Sequence, residues 1–239
     1  MLAWLYMIST SAVAWCIALL IWFFTLPFDP QKKLLHRFGC LWAFHYIQII
    51  PGWRCSIRGR SLLADEGRYI YAANHQSMVD ILVIFGLKKH FKWVSKHTVF
   101  FVPFIGWNAK LNDYVGIRRG SGQAMNGMLK DCKKHLGRGS SVFFFPEGTR
   151  SADGQLAKFK AGPFRLAVET STPIVPIVIE GTRDILEKNS WRLPVWKQVH
   201  ISVDILQPID PALADNDVTK LQALVRDEIA EKLATIRAT

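Results

Sequence analysis

The sequence lacks three patterns that would each define a class of protein. Its four cysteines have no CxxC spacing and no histidines arranged around them, so a disulfide framework and a zinc site are both disfavoured. No N-x-Ser/Thr sequon occurs, which suits a chain that faces the cytosol. No G-x-S-x-G segment occurs either, so a serine nucleophile of the elbow type is excluded. The cysteines are expected to be reduced thiols that behave as small apolar residues: Cys16, Cys40, Cys55 and Cys132.

Acidic residues are also scarce, at 19 Asp and Glu against 30 Lys and Arg, which gives a net charge of +11. This excess predicts an anionic partner, and both nucleic acid and anionic lipid meet that condition. No nucleic-acid-binding module or basic helix is recognised in the sequence. The hydrophobic amino-terminal part of the chain separates the two, and we expect membrane lipid and no nucleic acid.

Charged side chains are absent from residues 1–26. This run exceeds the about 20 residues that a helix needs to cross a bilayer. No Lys or Arg precedes it, which disfavours a cleaved signal peptide. The first positive charges follow it, at Lys32, Lys33 and Arg37, and predict that the remaining chain faces the cytoplasm. The pattern leaves open whether this helix spans the membrane or re-enters on the same side.

A second apolar and aromatic stretch, residues 34–50, is interrupted by polar side chains and ends at Pro51 and Gly52. It fits an amphipathic helix lying in the membrane interface, or a buried helix of the domain that follows. We therefore expect residues 1–52 to be a membrane-associated helical segment. Residues 53–239 are expected to form a single domain.

Short apolar runs alternate with helical patterns beyond residue 53. Helices are predicted from Ser121 to residue 136, at 162–170 and at 218–236. This alternation is typical of an α/β fold with a mostly parallel central sheet flanked by helices, here preceded by one or two membrane-anchoring helices. The predicted strands are 69–73, 92–94, 114–117, 141–145, 174–179 and 200–205.

Polar residues directly follow the predicted strand that ends near Ala73. His75 falls in the turn, and Asp80 falls in the first turn of the next helix. Asp80 can bond one nitrogen of the imidazole and leave the other free to take a proton. A competing interpretation makes His75 a simple turn residue, with Asn74 and Ser77 capping the helix.

The segment FPEGTRS at 145–151 follows another predicted strand. Gly148 permits a close backbone approach, and Arg150 offers a fork suited to phosphate or carboxylate. The competing interpretation is a tight turn with an internal ion pair between Glu147 and Arg150.

NHQSMVD at 74–80 and FPEGTRS at 145–151 resemble the first and third motifs of the glycerolipid acyltransferase family, which includes the 1-acylglycerol-3-phosphate acyltransferases. The resemblance covers roughly residues 55–205, with the motifs in the expected order. The other matching segments are PFIG at 103–106, YVGIRR at 114–119, FKAG at 159–162 and IVPIVI at 174–179.

The resemblance implies direct acyl transfer, with His75 as general base and Asp80 as the carboxylate that orients it. Backbone N–H groups of the 75–80 turn are the expected donors to the oxyanion. Arg118 is an alternative to Arg119 as the arginine of the second motif. The residues expected to bind the substrate are Arg119, Glu147, Gly148, Thr149, Arg150 and Lys160.

The implied reaction moves a fatty acyl chain from acyl-CoA or acyl-carrier protein to the hydroxyl of 1-acylglycerol-3-phosphate, giving phosphatidic acid. The expected partners are membrane lipids, the lysophospholipid acceptor and the acyl donor, with no cofactor and no metal. Three alternatives remain open: another acceptor (a different lysolipid or glycerol-3-phosphate), a hydrolase or transacylase with the same His–Asp pair, and a non-catalytic lipid-binding protein.

Overall fold

The structure is a computed structural model that describes residues 2–118 and 122–238. Within these residues seven strands form one sheet, and seven α-helices accompany it. The strands are β1 (Trp53–Arg58), β2 (Ile70–Ala73), β3 (Phe91–Lys96), β4 (Val115–Ile117), β5 (Ser141–Phe144), β6 (Ile174–Glu180) and β7 (Val199–Ile205). The helices are α1 (Leu2–Thr25), α2 (Lys33–Gln48), α3 (Val79–Phe85), α4 (Ile105–Leu111), α5 (Gly122–Gly137), α6 (Gly162–Thr170) and α7 (Val218–Arg237).

The strands lie in the order β1-β7-β6-β2-β5-β3-β4. The five from β6 to β4 are parallel, whereas β7 is antiparallel to β6 and parallel to β1. Ala72 of β2 pairs with Phe144 of β5 on one side and with Pro176 of β6 on the other. Strands β2 and β5 therefore end at the same level, and the segments that follow them meet at one edge of the sheet.

Two hydrophobic cores cover the two faces of the sheet. Helices α2 and α3 enclose one of them, which includes Val83 and Phe143. Helices α5, α6 and α7 enclose the other, which includes Leu129, Phe164 and Val225. Because helices cover both faces, β2 and β5 are buried along their whole length, as their continuous apolar character predicts.

Helix α1 turns small residues inward and large ones outward. Ser11, Ala14 and Ala18 are buried, and the Trp15 ring lies 5.2 Å from that of Trp107 in α4. The helix is long and apolar enough to cross a membrane, with a mean hydropathy of 2.0. Large exposed side chains of α1, of the segment before α4 and of the first residue of α4 form what we call the outer apolar surface: Leu5, Ile8, Val13, Ile17, Leu20, Phe23, Phe24, Phe101, Val102 and Ile105.

Helix α2 belongs to the core of the domain. The Asp29 carboxylate caps its first turn by accepting the N–H groups of Lys33, at 2.9 Å, and Leu34, at 2.8 Å. Its inner face packs into the core through Cys40, Ala43 and Ile47, while Leu34 and Leu41 are exposed on the outer face. One face of the helix is thus packed on the domain and the other exposes apolar side chains, so both interpretations of residues 34–50 stay predictions.

The α/β class and the mostly parallel sheet are confirmed, and all six predicted strands occur within two residues of their expected bounds. Strand β1 was not predicted, although its residues alternate between apolar and polar, which is typical of a strand. The seven-residue helix α4 was not predicted either. Ser121, the expected start of α5, lies outside the described residues.

Candidate active site

His75 lies in the turn between β2 and α3, at the carboxyl edge of the parallel strands. Its Nδ1 is 2.8 Å from Oδ2 of Asp80, which is the second residue of α3 and is completely buried. The His75 side chain is 13% exposed, and its Nε2 makes no hydrogen bond within residues 2–118 and 122–238. The two residues are therefore together as expected, with one nitrogen oriented by a carboxylate and the other unengaged.

The Asp80 carboxylate is held by three further donors. Oδ2 accepts the backbone N–H of Gln76, at 2.7 Å, and that of Ser77, at 2.9 Å. Oδ1 accepts the hydroxyl hydrogen of Thr182, a buried residue that follows β6. These donors hold the carboxylate in one orientation.

Hydrogen bonds connect the turn around His75 to β6 and to the segment that follows β6. The Asn74 amide donates to the carbonyl of Ile179 and accepts its N–H, both at 2.8 Å. The Ser77 hydroxyl donates to the carbonyl of Leu186 at 2.7 Å. Asn74 and Ser77 thus fix the position of the turn. The Ser77 oxygen also accepts the N–H of Val79, the first residue of α3, at 3.2 Å, so Ser77 caps the helix as the competing interpretation supposed, whereas Asn74 bonds to Ile179 instead.

The 145–151 segment forms hydrogen bonds with both the backbone N–H and the carbonyl of His75. Oε1 of Glu147 accepts the His75 N–H at 2.7 Å, and the His75 carbonyl accepts the N–H of Ser151 at 2.8 Å. Oε2 of Glu147 accepts the N–H of Ala157 at 3.0 Å. Burial raises the pKa of Glu147, and the N–H donors of Ala157 and His75 oppose that rise. Both carboxylate oxygens of Glu147 are therefore engaged by backbone, and the ion pair with Arg150 that the competing interpretation supposed is absent from the described residues.

The ring of Phe145 stacks on the imidazole of His75. The ring centroids are 3.9 Å apart and the planes differ by 12°. Phe145 directly follows β5, so the register of β2 and β5 places the two rings side by side. This contact restricts the imidazole to the plane in which it meets Asp80.

Two of the predicted cationic residues lie in or beside the same segment. Arg150 is half-buried and Lys160 is exposed, and neither forms an ion pair within residues 2–118 and 122–238. Gly148 has φ +71°, and a Cβ there would approach Cε and Nζ of Lys160 to 2.8 Å. Lys160 therefore extends across Gly148, close to the segment that holds His75. Thr149 is exposed beside them.

Two residues are candidates for the second-motif arginine. Arg119 lies outside the described residues, and Arg118 is exposed just after β4.

The expected oxyanion donors in the 75–80 turn are already occupied. The N–H groups of His75, Gln76 and Ser77 donate to the carboxylates of Glu147 and Asp80. The prediction is wrong for these three groups, because each buried carboxylate needs the donors that the prediction assigned to substrate.

None of the cysteines has the surroundings of a nucleophile. Burial raises the pKa of the Cys55 thiol to about 11 and raises that of Cys132 as well. Cys40 is buried, and Cys16 lies exposed on α1, among the apolar side chains of that helix.

Sequence reasoning missed two residues of this site, Phe145 as a stacking partner and Thr182 as a donor to Asp80. Phe145 is the first residue of the 145–151 motif, so the motif could have indicated its place in the site. Thr182 is 102 residues from Asp80, and no sequence pattern indicates their contact, because only the adjacency of β2 and β6 brings the two together.

The fold and the site thus define an α/β protein whose buried His–Asp pair is mounted at the carboxyl edge of parallel strands. The model of the acyltransferase family matches residues 54–180, which is more than half of the chain. The chain belongs to this acyltransferase family.

Its relatives include a chloroplastic 1-acyl-sn-glycerol-3-phosphate acyltransferase of Arabidopsis thaliana, 38% identical over 194 residues that make up 80% of this chain and 53% of the relative. A second relative, of the same name and from Brassica napus, is 36% identical over 213 residues, with coverages of 88% and 58%. The chain spans about half the length of these relatives. The fold is similar to the crystal structure of a 1-acyl-sn-glycerophosphate acyltransferase, PlsC, of Thermotoga maritima, with a TM-score of 0.79, 22% identity and coverage of 100% of this chain and 96% of that one.

Proposed function

We propose that this protein transfers a fatty acyl chain from a thioester donor, acyl-CoA or acyl-carrier protein, to the free hydroxyl of 1-acylglycerol-3-phosphate. The product is phosphatidic acid. The observation that carries this proposal is the hydrogen bond of 2.8 Å between His75 Nδ1 and Asp80 Oδ2, in a member of the acyltransferase family. The names of the relatives support the choice of acceptor.

His75 acts as general base in this proposal. Its Nε2 takes the proton of the acceptor hydroxyl as the hydroxyl oxygen attacks the thioester carbonyl. The carbon–sulfur bond breaks and the sulfur leaves as a thiolate, which is an easy leaving group because a thiol has a pKa of about 8.5. The proton on His75 then passes to the thiolate or to water. Asp80 stabilises the imidazolium that forms between these two transfers.

The acceptor phosphate is assigned to the cationic side chains next to the His75 turn. Arg150 and Lys160 lack carboxylate partners within the described residues, which leaves their charge available for an anion. A charge-assisted hydrogen bond contributes about 1.5–3 kcal/mol, so two of them favour a phosphorylated acceptor. Arg119 remains part of the proposed substrate site on the strength of its motif. Thr149 and Gly148 belong to the same loop, and Glu147 supports the site through the backbone of His75.

The proposed location is the membrane, with the catalytic domain on the cytoplasmic side. The outer apolar surface supports lipid contact, since leaving so many large side chains in water is unfavourable. We assign residues 1–52 to the membrane-associated part and residues 53–239 to the catalytic domain, although α2 also contributes to the core of that domain.

Purified protein in detergent, given acyl-CoA or acyl-carrier-protein donors and a panel of lysolipids, tests the proposal through thiol release and product identity. His75→Ala is expected to lower turnover about 10²- to 10⁴-fold, which is the usual contribution of a general base. His200→Ala, at an exposed position of β7, is the matched control. Unchanged turnover in His75→Ala would eliminate the mechanism.

The same assay separates the alternatives. A preference for a lysolipid without a terminal phosphate, or for glycerol-3-phosphate, would replace the proposed acceptor. Thiol release in the absence of any acceptor would indicate a hydrolase. Binding of lysolipid without thiol release would indicate a lipid-binding protein.

A further inference from the structure

Two of the most exposed large aromatic side chains lie in the loop between β6 and β7. Trp196 is 93% exposed and Trp191 is 77% exposed. Both belong to residues 187–198, which we call the tryptophan segment; it contains no helix or strand. An indole in water leaves a large apolar area hydrated, so two of them on one short segment indicate a surface that is covered in use.

The tryptophan segment is attached to the amino-terminal end of α1. The indole N–H of Trp4 donates to the carbonyl of Trp191 at 2.7 Å, and their ring centroids are 5.8 Å apart. Leu193 packs inward against the core between the two exposed indoles. The exposed indoles therefore continue the outer apolar surface of α1 toward the catalytic edge of the sheet.

The same part of the chain touches both segments that form the active site. The carbonyl of Leu186, immediately before the tryptophan segment, accepts the hydroxyl hydrogen of Ser77 at 2.7 Å. Nζ of Lys188 donates to the carbonyl of Arg150 at 2.9 Å. These two hydrogen bonds link the tryptophan segment to the turn of His75 and to the loop of Arg150. A surface that binds the segment therefore also restrains the position of the active site.

The charge of the tryptophan segment is positive. It carries Lys188, Arg192 and Lys197 against a single acid, Glu187. Lys197 lies 3.8 Å from Asp184, a separation at which exposed charges interact weakly. Arg192 is exposed and has no carboxylate partner within residues 2–118 and 122–238.

We propose that the tryptophan segment lies in the headgroup layer of an anionic bilayer, with Trp191 and Trp196 at the boundary with the acyl chains, and holds the active site against the lipid surface. Indoles prefer this boundary because one edge is apolar and the N–H is polar. Basic side chains beside them gain from the negative surface potential of anionic lipids. The bilayer is favoured over a protein partner because the indoles continue the apolar surface of α1. The inference rests on the proposed membrane attachment of α1.

Lipid contact is tested directly by attaching an environment-sensitive dye to single cysteines and adding vesicles that contain brominated phospholipid. The dye is placed at Trp196→Cys in a Cys16→Ser chain, whose remaining thiols are buried or half-buried. Cys16 in the unaltered chain is exposed on α1 and reports whether that helix is in lipid. Leu213→Cys, in the Cys16→Ser chain, is the matched control, because Leu213 is 73% exposed and lies outside both surfaces.

The expected result is quenching at positions 16 and 196 and none at 213. Quenching at 16 but not at 196 would overturn this inference and leave the membrane proposal intact. Quenching at neither position would overturn both. Equal quenching at 196 and 213 would indicate non-specific adsorption and would also reject the inference.

Activity supplies a second, independent arm with lysolipid presented in vesicles. Arg192→Gln is expected to weaken the preference for anionic over zwitterionic vesicles about fivefold, the effect of one cation near a charged surface. Trp196→Ala is expected to raise the apparent KM for vesicle-borne lysolipid several-fold and to leave kcat for a short-chain, water-soluble lysolipid unchanged. An equal loss with both substrates would reject a role in lipid contact. Capture of the segment by an added protein without any effect of lipid would assign it to a protein partner.

Discussion

The phenyl ring of Phe145 lies against the imidazole ring of His75, with centroids 3.9 Å apart and planes 12° apart. The aromatic residue that opens the 145–151 segment therefore supports the side chain that we propose as the general base. Loss of that support leaves the imidazole free to rotate away from Asp80.

Phe145→Leu is expected to lower kcat about three- to tenfold, because stacked aromatic pairs contribute about 0.5–1.5 kcal/mol and the base is less well oriented without the ring. Phe144→Leu is the comparison, since Phe144 is buried at the end of β5 in the core on the opposite face of the sheet and forms no ring contact with Phe145 or His75 within the described residues. That variant should lower the melting temperature and spare kcat. Equal kcat in wild type and Phe145→Leu would contradict the prediction.

Thr182→Val removes the hydroxyl that donates to Oδ1 of Asp80 while keeping the shape of the side chain. Hydrogen bonds to charged groups contribute about 1.5–3 kcal/mol, so kcat is expected to fall about tenfold or more with little change in KM. Thr182→Ser restores the hydroxyl and should restore most of the activity. A serine variant as impaired as the valine variant would show that the methyl group, not the hydroxyl, matters.

Glu147→Gln distinguishes two roles for this carboxylate. The amide nitrogen cannot accept a hydrogen bond, so one of the two backbone N–H groups, of His75 or Ala157, loses its partner at a cost of about 1–3 kcal/mol. We expect a melting temperature lower by several degrees together with a lower kcat. Lys160→Met, at an exposed cation, should instead raise the KM for the acceptor and leave the melting temperature unchanged. A Glu147→Gln protein with only a higher KM would favour direct contact with substrate.

Because the Lys92 side chain is buried, we expect the stability of the folded protein to rise with pH above about pH 8. Its side chain is buried, and Nζ donates to the carbonyls of Gln31 and Asn112, both at 2.7 Å. Burial lowers the pKa of Lys92 from its ordinary 10.5 to about 8. Between these values the unfolded chain binds more protons than the folded chain, so stability rises with pH. This contribution, about 3 kcal/mol at most, is lost as the pH falls through about 8.

Lys92→Met removes this linkage. The difference in melting temperature between wild type and variant, measured in detergent, should shift by several degrees in favour of wild type between pH 8 and pH 10, since the wild type no longer carries a buried charge at the higher pH. A difference that stays constant over this range would mean that Lys92 keeps its proton in the folded protein.

The pairing of His75 with Asp80 was predictable because both residues lie in one turn, five positions apart, where local geometry decides their distance. The strands were predictable because their apolar runs are buried on both faces. The donor to Asp80 from Thr182 was not, because it depends on the order of strands in the sheet, which no local pattern encodes.

The role of Glu147 could not be predicted from the sequence either. A carboxylate in a polar loop is usually solvated, and only the observed burial, with 5% exposure, makes backbone N–H groups its necessary partners. Similarly, the small residues Ser11, Ala14 and Ala18 could be seen in the sequence, but the helices that they face could not.

Helix α2 shares its inner residues with the core of the sheet, and α1 packs on α2 through small side chains. Residues 1–52, which we propose to attach the protein to the membrane, therefore cannot be removed to give a soluble enzyme. Their removal would expose the core beneath α2 to water. With α1 in the bilayer, as proposed, the protein meets lipid acceptors by lateral diffusion in two dimensions. Its rate then follows the fraction of acceptor among the surrounding lipids, not the amount of acceptor per volume of cytoplasm.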